Sequence, residues 1–122
     1  MTQPLRFRLL AGFAVLAILA ALGSSVATAA GNYDFRYGSG IYKGSVGDCQ
    51  TSATVGLAKA GFTDVHSESH ASNSAVYGTK TDYQAVVICT KAQSTATYTE
   101  LVFGPSGSTL PSLFDALDNN FK

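Results

Sequence analysis

The stretch Tyr83 to Thr90, YQAVVICT, decides the fold. Read with period two, Tyr83, Ala85, Val87 and Cys89 fall on one side, and Gln84, Val86, Ile88 and Thr90 on the other. Both sets are largely apolar, and a strand apolar on both sides belongs inside a sheet rather than at its border. Three more runs keep the same period: FTDVHSESH (62–70), AVYGTK (75–80) and TATYTELVF (95–103), all rich in β-branched and aromatic residues. Only short polar breaks separate them, whereas a parallel crossover takes about a dozen residues or more. The four strands therefore read as an antiparallel meander. On the last of them the alternation turns Tyr98 and Glu100 outward, where Glu100 serves solvation.

Upstream of the strands, GSVGDCQTSATVGLAKAGF (44–62) is punctuated as a helix. Ser45 is an N-cap residue, Asp48 stands three positions on as a short capping-box acid, and Gly61 supplies the left-handed residue that stops the helix before Phe62. Val46, Cys49, Ala53, Leu57 and Ala60 recur at three- and four-residue spacing, which makes one apolar stripe and points Cys49 into the core. Downstream, Gly104-Pro105-Ser106-Gly107 ends the sheet. Ser108 or Thr109 then caps a final helix with Leu110, Leu113, Phe114, Leu117 and Phe121 on one stripe, and Pro111 is tolerated in its first turn. The expected fold class is α+β: a helix, a four-stranded antiparallel meander and a C-terminal helix, with both helices on one sheet face. Residues 45–122 form its single domain.

Residues 30–44 precede that domain as a glycine- and tyrosine-rich arm. Tyr33, Phe35 and Tyr37 alternate as in a short strand, while Gly38, Ser39 and Gly40 are expected to break it. Tyr33, Tyr37 and Tyr42 are a candidate contact surface, weighed against aromatics that fold back to cover a core edge or the far side of the sheet.

Residues 1–29 read as a secretory signal peptide: Arg6 and Arg8, an apolar run from Leu9 to Leu22, and the small-residue ending Ala27-Thr28-Ala29, with cleavage after Ala29 or Ala30. The apolar run is shorter than the roughly 18 to 20 residues of a spanning helix, so no stable membrane insertion is expected after cleavage. A periplasmic or secreted location follows. Without Arg6 and Arg8, six Lys or Arg remain against eight Asp or Glu. They are scattered, which speaks against a nucleic-acid partner, since neutralising phosphates takes clustered positive charge.

Two cysteines, Cys49 and Cys89, lie forty positions apart. That spacing lacks the C-x-x-C of a redox pair, and two thiolates are too few for a closed zinc site. An oxidising compartment and an even count point to a disulfide between helix and central strand. In Asp64-Val-His66-Ser-Glu68-Ser-His70 the four ionisable groups share one side of a strand, with neighbours about 7 Å apart. His66, Glu68 and His70 are thus a candidate metal site or proton relay; the plainer reading is the solvated side of an outer strand, charged against edge pairing. No G-x-S-x-G elbow or phosphate-cradling loop occurs, and Asp115 and Asp118 read as surface charges. No catalytic residue and no cofactor is expected.

Gly47-Asp48-Cys49 on a helix ending Ala60-Gly61-Phe62, then Val76-Tyr77-Gly78, Tyr83 to Cys89, Leu101 to Pro105 and Leu113 to Phe121 form a series. In it the chain resembles small exported bacterial proteins of uncharacterised families with a cysteine pair linking helix and strand. The resemblance implies an α+β domain with a helix-to-strand disulfide and assigns no active site. The functional expectation is a noncatalytic binding module with a protein partner. The alternative is a small metal-binding protein or hydrolase centred on His66, Glu68 and His70.

Overall fold

Ser45 opens the first helix by exchanging hydrogen bonds with Asp48: the Asp48 backbone N–H donates to the Ser45 hydroxyl at 3.0 Å, and the Ser45 N–H donates to the Asp48 carboxylate at 3.1 Å. Two otherwise orphaned helix donors are satisfied in this way. The two bonds from Ser45, backbone first and hydroxyl second, hold the Asp48 carboxyl below its ordinary value. At the other end Gly61 takes φ +89°, so that the Phe62 N–H reaches the Leu57 carbonyl and the Gly61 N–H reaches the Ala58 carbonyl, each at 3.0 Å. This double closure stops the chain in a left-handed turn that glycine adopts without penalty.

The computed structural model describes residues 32–121, and the expected signal peptide, 1–29, lies outside them. Their elements are β1 (Tyr33–Tyr42), α1 (Val46–Lys59), β2 (Thr63–Ser69), β3 (Asn73–Lys80), β4 (Tyr83–Ala92), β5 (Thr95–Pro105) and α2 (Thr109–Phe121). The class is α+β, with one antiparallel sheet in the order β1-β5-β4-β3-β2. The expected four strands are therefore five. The fifth comes from the arm, which pairs without a break from Tyr33 opposite Pro105 to Tyr42 opposite Ala96. Its glycines do not interrupt it, because Gly38 and Gly40 lie on the side where neighbouring rings fill the space that a side chain would take. A Cβ on Gly40 would stand 2.8 Å from the Tyr98 hydroxyl. Nor does the arm fold over the far side of the sheet. It extends the sheet sideways instead.

β4, the strand of the opening stretch, is the middle strand of the five. One side of the sheet carries the core. Val76, Ala85, Val87, Cys89, Tyr98 and Val102 pack there with Cys49, Ala53 and Leu57 of α1 and with Leu110, Leu113, Leu117 and Phe121 of α2. The Cys49–Cys89 disulfide, with Cα atoms 6.1 Å apart, ties α1 to β4 inside that core. Tyr98 and Glu100 are on this side too, not outward: Tyr98 meets the Phe121 ring edge-on at 4.8 Å, and Glu100 is fully buried. β5 runs between β1 and β4, so both of its sides are mixed in character, and alternation alone did not tell them apart.

Candidate contact surface

Among the described residues, no helix lies on the other side of the sheet. Because the strands stay in register, its residues line up in rows: Tyr37, Leu101, Val86, Tyr77 and His66 form one, and Phe35, Phe103, Gln84 and Thr79 another. Phe35 and Tyr37 stack at 6.2 Å between ring centroids. Tyr37 and Ile41 are 68% and 70% exposed, and Tyr33, Phe35, Ile88 and Phe103 are exposed as well. A shallow groove of about 470 Å3 runs between β1 and β5, lined by Tyr33, Asp34, Phe35, Leu101 and Phe103. Scattered exposed hydrophobes are ordinary on a soluble domain, but these are contiguous.

Of the three tyrosines singled out in the arm, Tyr33 and Tyr37 lie on this open side and Tyr42 does not. Tyr42 turns to the helices, where its ring stacks on Phe121 at 5.7 Å and its hydroxyl meets that of Ser52 at 2.6 Å. It fastens the end of β1 to the core. Phe35, Ile41 and Phe103, with half-buried Leu101, complete the cluster and were not singled out as surface residues. For Phe35 and Ile41 the signal was the odd-numbered alternation of the arm, which the glycines obscured; for Leu101 and Phe103 it was the parity of β5.

The candidate metal residues separate. A bulge between Thr63 and His66, with Asp64 at φ +50°, takes Asp64 out of the ladder and turns its carbonyl to His66 Nδ1 at 2.8 Å. A carbonyl oxygen can only accept, so Nδ1 is the donor of that bond. The His66 ring stacks on Tyr77 at 5.2 Å. Glu68 follows on the same side, opposite Ala75, whereas His70 lies beyond the end of the strand, its backbone N–H bonded to the Asn73 carbonyl. A groove of about 370 Å3 includes His66 and Glu68 but not His70. Among the described residues, no three His, Cys, Asp or Glu side chains come together as a group able to hold a metal ion.

Among those residues no helix is long and apolar enough to cross a membrane. No protein-family model matches the chain, and no relative is found among the curated proteins.

Proposed function

We propose that the chain is a noncatalytic binding module of the cell envelope or the secreted fraction, and that it meets a protein partner with the open side of its sheet. The observation that carries this reading is the exposed cluster Tyr33, Phe35, Tyr37 and Phe103, with half-buried Leu101 between them, around the β1–β5 groove. Aromatic side chains offer large contact area at low entropic cost, and their concentration on one surface is the composition of a recognition patch. Two further features support the reading. The disulfide suits a chain exported to an oxidising compartment. The β1–β5 groove is shallow and lined mainly by apolar side chains, which suits contact with another surface better than chemistry.

The test is a photo-crosslinking amino acid placed at Tyr37 and, separately, at exposed Asp115 of α2, in cells that express the full sequence. A discrete adduct with a protein other than the chain itself from position 37, absent from position 115 and abolished by Phe35→Ser with unchanged thermal stability, supports the reading. Equal labelling from both positions, or none from either, defeats it.

A further inference from the structure

The free border of β1 is complementary to itself. We propose that two copies of the chain pair antiparallel along residues 32–38, about a two-fold axis at Phe35, so that their sheets become one. Pro105 has no N–H to give and stands opposite Tyr33, so the backbone groups of Tyr33 and of every second residue after it point away from β5. The Phe35 N–H agrees with this: it is taken by the Asp34 carboxylate at 2.8 Å, a side-chain oxygen standing where a strand carbonyl would bond. Tyr33, Phe35 and Tyr37 thus offer outward donors and acceptors on a straight strand with no bulge, proline or lysine to discourage pairing.

Only half of β1 is accessible from both sides. Asp34 and Arg36, on the side that faces the helices, are exposed, whereas beyond them Gly38 lies within 3.0 Å, measured from a built Cβ, of the Phe114 ring. A second sheet therefore meets no helix along the first half. Charge then selects the register. With the axis at Phe35, Asp34 faces Arg36 of the second copy, and this happens twice. An axis at Asp34 or Arg36 sets like charge against like, and one at Tyr37 brings Arg36 of the second copy against Gly38, beneath Phe114. In the chosen register Tyr33 and Tyr37 stand across from each other on the open side, and Phe35 faces Phe35. On pairing, the Phe35 N–H passes from Asp34 to the Phe35 carbonyl of the second copy, and Asp34 turns to Arg36. This pairing goes beyond the partner reading above and does not rest on it. Both open sides remain uncovered and face the same way.

The test is sedimentation velocity on protein expressed from the full sequence, over about 1 µM to about 500 µM. A dimer should form with concentration and weaken by about tenfold in Asp34→Arg and in Arg36→Asp, each of which sets like charges face to face. The double swap Asp34→Arg/Arg36→Asp restores the complementarity and should recover the dimer. Amide protection should rise with concentration at Phe35 and Tyr37 and not at Arg36. A monomer throughout the range overturns the proposal. So does a dimer that ignores the single swaps or fails to return in the double swap. In the crosslinking test an adduct of the chain with itself from position 37 belongs to this pairing, whereas an adduct with a different protein belongs to the partner reading, so the two can fail separately.

Discussion

The two borders of the sheet differ in every respect that governs edge pairing. β1 is ten residues long, unbroken in register, and presents Phe35, Tyr37 and Ile41. β2 is seven residues long, bulged after Thr63, and carries Asp64, His66 and Glu68. Shortness, a bulge and charge are the usual protections of an edge, and β2 has all three. β1 is neither short nor bulged, and the two charges on its exposed half, Asp34 and Arg36, are of opposite sign. Their attachments differ as well. β1 is fixed by packing, with Gly40 under Tyr98 and Tyr42 against Phe121, while β2 is held to α1 by Gln50, whose side chain bonds Ser67 at 2.7 Å and Ser69 at 2.9 Å. The open border is anchored by its glycines and Tyr42 against core rings; the closed border adds surface bonds to the packing of Val65 against the core.

The largest expected effect comes from the link between these anchorages. Replacing both Cys49 and Cys89 by serine removes a closure of forty residues, and denaturant unfolding should report a loss of about 4 kcal/mol in the chain-entropy picture. A loss below about 1 kcal/mol would mean that packing alone holds α1 on β4. Next, Gly40→Val drives a side chain into Tyr98 and should cost about 1–3 kcal/mol, with hydrogen exchange rising along β1 more than along β2. Ser45→Ala removes the cap of α1 and should cost about 1 kcal/mol at neutral pH. That cost depends on pH. Asp48 has its folded pKa lowered by the Ser45 bonds, so its contribution is complete above the ordinary value of 3.8 and disappears as pH falls through the folded value. The larger of these bonds comes from the backbone N–H, which Ser45→Ala keeps, so the gap between the two thermal melts should narrow in acid by the hydroxyl–carboxylate share alone and should not close. The smallest effect is that of Gln50→Ala, which removes two exposed hydrogen bonds and should cost about 1 kcal/mol or less, with faster exchange confined to β2. Equal loosening of both borders in this variant would erase the contrast between them.

Much of the fold was legible where local chemistry and tertiary packing agree. The Ser45–Asp48 box, the Gly61 stop, the stripe through Cys49 and the middle position of YQAVVICT are each set by residues close in sequence or by an all-apolar strand. Two features were not. Gly38 and Gly40 read as breakers because the Phe114 and Tyr98 rings that fill the space above them come from 76 and 58 residues further on. Glu100 read as solvated because a carboxylate rarely occupies an inward position, yet its parity is fixed by neighbours Tyr98 and Val102, both buried. At the candidate surface, Tyr33 and Tyr37 were legible from alternation. Asp64 was misplaced by a bulge and His70 by the end of the strand at Ser69, neither of which the sequence pattern announces.

The pairing of β1 with β5 has a consequence for the order in which the protein is made. Partners across that ladder are separated by 54 residues at Tyr42–Ala96 and by 72 at Tyr33–Pro105, while every other strand pair joins consecutive strands. Contacts so distant along the chain form late and slow the overall reaction. The first strand synthesised must wait, unpaired, until the last strand has emerged. During that interval Tyr33, Phe35, Tyr37 and Ile41 are a sticky segment without its mate, and any truncation that removes β5 leaves them in that condition permanently.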